Sequence, residues 1–221
     1  VDPRGLNDPF EVKDSMLFTL ESGTTQQVLF TAGGQDATVL RGEVIGSDTR
    51  FTATRPYLIY DSLRIEPGAT LYMEPGTRLY FADKVEMQVY GLIKAMGTAD
   101  SLIVMRGART DHMFDYLPYD RLSAQWGGIT LHESSTDNVF EHCDIHSGTY
   151  GLRARGANLE RHKLVMHHSQ IHNVDEDALQ LTLCRASLAN SLFTNAGGHC
   201  VNILGGEIDV IHCTMANFFP W

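Results

Sequence analysis

The sequence lacks the features that assign a chain to a membrane-spanning or nucleic-acid-binding class. No apolar run approaches the roughly 20 residues that a membrane-spanning helix needs, and the start VDPRGLNDPF has neither the basic nor the apolar region of a secretion signal. Basic residues are few, with 17 Lys and Arg against 27 Asp and Glu and a formal charge of -10. This balance argues against nucleic acid and anionic membranes as partners, because both select clustered basic side chains.

Motifs for metal and redox chemistry are missing as well. The 4 cysteines form no C-x-x-C pair, and the 10 histidines form no H-x-H or H-E-x-x-H arrangement. We therefore expect no cofactor and no metal site built from such a local motif.

The sequence does contain enough hydrophobic residues to form a core, and they follow two different patterns along the chain. At 221 residues and 43% hydrophobic content, the chain can bury one or two cores. Residues 14–40 form two alternating β runs around the turn-forming ESGTT, which predicts a hairpin typical of a β-sandwich. From about Tyr57 the sequence repeats at a coarse period instead.

The repeat has an apolar anchor in each copy, and the steps between anchors are 26, 22 and 22 residues. A second strand in each copy has its own anchors. The first set is Ile145, Ile171, Phe193 and Met215, and the second set is Leu152, Leu179 and Val201. This period with short strands predicts an all-β, right-handed parallel β-helix, in which equivalent positions stack about 4.8 Å apart. The leucine-rich repeat, a fold of similar period, is excluded because its signature is missing.

A polar row lies three positions before the first set of anchors. It consists of His142, His168, Asn190 and His212. Side chains stacked at coil spacing favour turn hydrogen bonds and ring stacking over metal binding. By the same register Cys143 and Cys213 lie three coils apart, on the order of 14 Å and beyond disulfide reach, so we expect four free thiols.

The segment between Gly107 and Trp126 is too long and too aromatic for an ordinary coil turn. We expect it to leave the solenoid and pack on one face or on the capping end. Its rings are candidates for sugar stacking, although a packed loop that shields a sheet edge is the favoured interpretation. The possible ligand contacts are Tyr116, Tyr119 and Trp126.

Three stretches resemble Bacteroidetes cell-surface, lipoprotein-like β-helix proteins of unknown function: GGQDA (33–37), RPYLIYDSLRIEPGATLYMEPGTRLYF (55–81) and MRGARTDHMFDYLPYDRLSAQWGGI (105–129). The resemblance implies that residues 1–42 are the last strands of an Ig-like β-sandwich or an N-terminal β cap. Residues 43–221 are then a right-handed parallel β-helix, truncated at its C-terminal end. It also implies a cell-surface, outer-membrane or periplasmic location, with membrane attachment only through a lipid anchor upstream of Val1.

The candidates for catalysis are Asp175, Asp177 and His199. A carboxylate next to a histidine one coil away is similar to the polygalacturonase arrangement, in which acidic groups on successive coils cleave a sugar polymer. The position one coil before Asp177 is Tyr150 rather than a carboxylate, so turn chemistry is favoured over catalysis. Asp175 and Asp177 are also the candidates for a Ca²⁺ site.

Two functions from different classes follow. The favoured one is a non-catalytic cell-surface protein that binds or scaffolds a glycan or a protein partner. The alternative is a polysaccharide lyase or a polygalacturonase-like hydrolase that acts along the β-helix face. The outward side chains of the second strand include no carboxylate, which favours binding; they are Arg153, Arg155, Gln180, Thr182 and Asn202.

Overall fold

The structure is a computed structural model that describes residues 10–34, 36–156 and 158–218. The chain divides into two compact units, residues 1–37 and 38–221. No helix among the described residues is long and apolar enough to cross a membrane.

The first unit contains the predicted hairpin. Strand β1 (Phe10–Thr19) pairs antiparallel with β2 (Thr25–Gly34), and the turn between them is closed by the Leu20 N–H donating to the Thr24 carbonyl at 2.9 Å. The turn coincides with ESGTT, so the hairpin prediction is confirmed.

The second unit is a parallel β-solenoid of about 8 turns, built from 18 strands. A separate small hairpin and one 3-10 turn, Tyr119–Arg121, interrupt it. The strands of this unit are β3 (Thr38–Ile45), β4 (Thr49–Phe51), β5 (Tyr57–Ile65), β6 (Thr70–Met73), β7 (Arg78–Phe81), β8 (Glu86–Val89), β9 (Leu92–Met96), β10 (Ile103–Gly107), β11 (His112–Phe114), β12 (Leu117–Pro118), β13 (Gly128–Leu131), β14 (Asn138–Glu141), β15 (Cys143–His146), β16 (Leu152–Arg155), β17 (Leu164–His167), β18 (Gln170–Val174), β19 (Leu179–Ala189), β20 (Leu192–Ala196), β21 (Val201–Ile211) and β22 (Thr214–Ala216).

The solenoid has three parallel sheets. Sheet A contains β7, β10, β15, β18, β20 and β22; sheet B contains β8, β13 and β16; sheet C contains β4, β6, β9, β14 and β17. Long strands pass through a corner: β3 and β5 run from sheet A to sheet B, and β19 and β21 run from sheet B to sheet C. The unit begins at Thr38, ahead of the boundary expected at residue 43, because β3 already pairs with β5 from Thr38.

The predicted register agrees with the observed pairing residue by residue. Ile145 pairs with Ile171, Ile171 with Phe193, and Phe193 with Met215. The second row pairs in the same way, from Leu152 through Leu179 to Val201, and Ile129 extends it by pairing with Leu152. Parallel pairing at every step confirms the solenoid.

Alternate residues of every sheet point inward and form one continuous core. The anchors Ile145, Ile171 and Phe193 are fully buried, whereas Met215 in the last described coil is 46% exposed. Trp126 is part of this core: its ring stacks on Phe81 with centroids 4.3 Å apart, and its Nε1 donates to the His146 carbonyl at 2.8 Å. Stacked, inward-facing apolar side chains are the main source of stability in such a fold.

The polar row marks a left-handed corner between sheets C and A. All four residues have φ between 49° and 51°, and they are His142, His168, Asn190 and His212. The rings of His142 and His168 stack with centroids 4.9 Å apart, and Asn190 Nδ2 lies 3.1 Å from His168 Nε2. Stacking and turn hydrogen bonds were the predicted role, and both are present. The four cysteines are free, as predicted.

The segment between β10 and β13 leaves the solenoid and packs on sheet A, as predicted; we call residues 108–125 the excursion. It contains the β11–β12 hairpin and the 3-10 turn. Asp120 in that turn binds Arg106 on β10 through a 2.9 Å ion pair. The excursion therefore forms a wall beside the outward side chains of sheet A.

Candidate functional site

Asp177 and His199 lie in contact, as the register predicts. The Asp177 Oδ1 accepts hydrogen bonds from the His199 backbone N–H at 2.8 Å and lies 2.9 Å from His199 Nδ1. Its Oδ2 accepts from Asn202 Nδ2 at 2.7 Å. The carboxylate therefore closes the turn between two coils of sheet B, as a capping residue does.

Asp177 acts as an ionised hydrogen-bond acceptor rather than as a proton donor. Burial alone would raise its pKa, but the hydrogen bonds from Asn202 and His199 outweigh burial and lower the pKa below the ordinary value. A general acid for glycoside cleavage needs the opposite shift, so that a proton is held at neutral pH. The His199 side chain is 71% exposed, so bulk water surrounds the other partner.

The neighbouring acidic groups do not converge on this pair. Asp175 is exposed, and Glu176 is ion-paired with Arg153 across the coils. Among the described residues two clusters of at least three His, Cys, Asp or Glu side chains have donor atoms close enough for one ion, and neither contains Asp175 or Asp177. Ca²⁺ needs several oxygen ligands that converge on one point, and Asp175 and Asp177 do not provide them.

Tyr150 occupies the row position where a second acid would be needed. It is 3% exposed, its hydroxyl lies 2.9 Å from Thr130 Oγ1, and the Arg153 guanidinium lies over its ring at 3.7 Å. Burial, more than any neighbouring charge, raises the pKa of Tyr150 to about 12. It remains a neutral phenol that packs between strands of sheet B.

The aromatic candidates in and beside the excursion have three different environments. Tyr116 is 77% exposed and stacks on Phe114 with centroids 5.7 Å apart. Tyr119 is half-buried under the Arg109 guanidinium, which lies 3.3 Å from its ring centroid. Trp126 is 0% exposed, so the structure places it in the core rather than on a surface that a ligand can touch.

Sheet A and the excursion together form a cleft that the sequence did not reveal. Its volume is about 570 Å³, and its lining combines carboxylates, imidazoles, amides, a guanidinium and a single aliphatic side chain. The lining residues are Leu117, Asp120, Arg121, Asp144, His146, His172, Asn173 and Asn195. The sequence did contain a signal for the two histidines of the cleft, because the repeat alignment that pairs Ile145 with Ile171 also pairs His146 with His172.

Asp144 organises the floor of the cleft. Its Oδ1 lies 2.8 Å from His146 Nδ1 and 3.0 Å from His172 Nε2, and the two imidazole rings stack with centroids 4.8 Å apart. Burial alone would raise the pKa of Asp144, but hydrogen bonds from the two histidines outweigh it and hold the pKa well below its usual range. The floor is thus a fixed carboxylate with two imidazoles on it.

Further along the cleft the amides form a short ladder. Asn195 Nδ2 donates to Asn173 Oδ1 at 3.1 Å, and both residues have left-handed backbone with φ of 52° and 53°. Asparagine tolerates this conformation because its short polar side chain bonds locally. The ladder fixes amide groups at the cleft surface.

A second, smaller groove of about 440 Å³ runs along sheet B, where the sequence placed the alternative enzymatic face. Its lining includes the outward residues predicted there, namely Arg153, Arg155, Gln180 and Thr182. No carboxylate is among its lining residues. Asn202, the fifth predicted residue, is bound to Asp177 instead.

Comparisons with known proteins do not identify the family of this chain. No protein-family model matches it, and no solved structure matches it. A stretch of 65 residues is 32% identical to Protein bark beetle of Drosophila melanogaster and covers 29% of this chain. The chain spans about 2% of the length of that curated relative, so the similarity assigns neither a family nor an activity.

Proposed function

We propose that this chain is a non-catalytic binding protein that holds a glycan in the cleft between sheet A and the excursion. The observation that carries the proposal is the cleft itself, about 570 Å³ in volume, in which seven of the eight lining residues carry polar or charged groups. In keeping with the resemblance, we propose a cell-surface or periplasmic location, a right-handed solenoid and a first unit that belongs to an Ig-like β-sandwich.

The chemistry of the cleft suits a sugar better than an apolar molecule. Sugar hydroxyls both donate and accept hydrogen bonds, and the lining offers fixed acceptors on Asp144 and donors on Arg121 and Asn195. The exposed Tyr116 ring, next in sequence to the lining residue Leu117, supplies a flat apolar surface on which a sugar face can pack.

Binding without cleavage is favoured because Asp177 and each carboxylate of the cleft already have a hydrogen-bond or ion-pair partner. Asp177 is held by His199 and Asn202, and Asp144 by two histidines. The other carboxylate of the cleft, Asp120, is paired with Arg106 at 2.9 Å. Glycoside cleavage requires a protonated carboxyl beside the leaving oxygen, and an ion-paired or multiply hydrogen-bonded carboxylate is a poor proton donor.

The test is to incubate the protein with a panel of immobilised polysaccharides that includes uronic-acid polymers. Bound protein and released sugar ends are measured in the same samples. We expect retention on at least one polymer with no product, and weaker retention for Tyr116→Ala. The matched control is Tyr72→Ala, which removes an outward-facing tyrosine of β6 on sheet C. Released product that disappears in Asp177→Asn would establish the enzymatic alternative.

A further inference from the structure

The floor of the cleft brings together three side chains that are far apart in sequence. Asp144 and His146 alternate on β15 and therefore share the outward face of sheet A. His172 on β18 pairs with His146 one coil further on. Because the three residues belong to two coils, the cluster does not correspond to any local sequence motif.

The distances from the Asp144 carboxylate to the two imidazoles are already close to those that a metal ion requires. Asp144 Oδ1 lies 2.8 Å from His146 Nδ1 and 3.0 Å from His172 Nε2, and all three donor atoms lie within 4.8 Å of one another. A tetrahedral Zn²⁺ with bonds of about 2.0–2.1 Å needs donors separated by about 3.3 Å. The carboxylate and each imidazole therefore need to separate by only a few tenths of an ångström. The two imidazoles, which stack with an interplanar angle of 14°, must tilt toward each other so that both lone pairs point at one ion.

The surroundings hold the three donors in place. The side chains of Asp144, His146 and His172 are 17%, 9% and 23% exposed, so little rotational freedom is left to lose on binding. Each neutral imidazole can carry its proton on the ring nitrogen away from the ion, which frees a lone pair for the metal. All three side chains line the cleft, so a water or a ligand group there can complete the coordination.

A second cluster, Glu141 with His142 and His168, provides an internal comparison. Glu141 Oε1 lies 2.7 Å from His168 Nδ1 but 3.6 Å from His142 Nε2, and the His168 side chain is 46% exposed. His168 Nε2 is also occupied by Asn190 at 3.1 Å. This cluster belongs to the left-handed corner and does not line the cleft.

We propose that Asp144, His146 and His172 bind one divalent first-row transition-metal ion, with Zn²⁺ as the ion to test. Two imidazoles and one carboxylate suit such an ion, whereas Ca²⁺ and Mg²⁺ prefer oxygen donors. The site goes beyond the proposed glycan binding and does not depend on it. A metal in the cleft would add a cationic group to which a hydroxyl or carboxylate of a ligand can bind.

The fold itself supplies matched variants for the test. The next coil has Thr194 opposite His172, so His172→Thr installs the residue that the solenoid already accommodates at that position. His168→Asn does the same for the second cluster, since Asn190 follows His168 in the row of left-handed residues. Asp144→Asn, a change of nearly equal size, is a second variant of the proposed site.

The experiment uses the whole chain after treatment with a chelator, titrated with Zn²⁺ by calorimetry and with Co²⁺ by visible absorption. We expect one ion per chain in the wild type and in His168→Asn. His172→Thr and Asp144→Asn should lose more than the roughly 10–100-fold in affinity that changes behind a metal ligand cause. Unfolding of each variant in chelator checks that the fold is retained.

Four results would overturn the assignment. The first is absence of Zn²⁺ binding by the wild type. The second is full affinity in both His172→Thr and Asp144→Asn, and the third is loss of binding in His168→Asn. Competition by Ca²⁺ at concentrations equal to Zn²⁺ would likewise contradict a site built on imidazole nitrogens. Glycan retention is measured separately, so failure of either proposal is recognised independently of the other.

Discussion

Replacing Asp177 with alanine separates a capping role from a catalytic one. The substitution removes the acceptor of the His199 backbone N–H and of Asn202 Nδ2, at 2.8 and 2.7 Å. We estimate about 1 kcal/mol for the lost backbone cap, by analogy with helix caps, and about 1 kcal/mol for the lost side-chain hydrogen bond. The contact with the exposed His199 ring adds little, because solvent screens it. The expected loss of unfolding free energy is about 2 kcal/mol.

Urea unfolding at pH 7, followed by far-ultraviolet circular dichroism, measures this loss. His199→Ala is the control, because it deletes the exposed ring but keeps the backbone N–H that Asp177 accepts; we expect a change of at most about 0.5 kcal/mol. A loss below about 0.5 kcal/mol in Asp177→Ala, or equal losses in the two variants, would refute the capping role.

Three further predictions concern buried polar groups and thiols. Asn138→Ala leaves the Ile93 N–H and the Lys163 carbonyl without their partner and should cost about 2–6 kcal/mol in urea unfolding. The lowered pKa of Asp144 stabilises the folded protein at pH values above about 4, the pKa of an aspartate in the unfolded chain. Unfolding measured from pH 6 to 3 should show this stabilisation being lost as the pH falls, and Asp144→Asn should show a smaller loss. Cys143 is buried and its thiol pKa is raised, so a thiol reagent should label it only in denaturant; labelling in the native protein would contradict its buried position.

The solenoid could be predicted from the sequence because its period is a property of the chain alone. Every coil must place an apolar anchor inward, so spacing between anchors such as Ile145 and Ile171 fixes the pairing of whole strands. The same register correctly placed Asp177 beside His199. It also explained the left-handed row, because each copy makes the same corner.

The cleft could not be predicted because the excursion has no counterpart in the other coils. Its path depends on tertiary contacts such as the Arg106–Asp120 ion pair and the hydrogen bond from the Gln125 N–H to the Ser147 carbonyl, and on where its aromatic side chains pack. From sequence alone Trp126 and Tyr116 are alike, yet one is buried against Phe81 and the other is 77% exposed. Aromatic residues fit both a core and a ligand surface, so their position within a repeat must be known first.

Affinity electrophoresis through gels that contain single polysaccharides tests most directly that the cleft binds a glycan. The account predicts that the wild type and Tyr72→Ala are retarded by at least one polymer. Tyr116→Ala, next in sequence to the lining residue Leu117, and Arg121→Ala, which changes a lining residue of the cleft, should be retarded less. Unretarded migration of the wild type in every gel, or equal retardation of all four proteins, would contradict it.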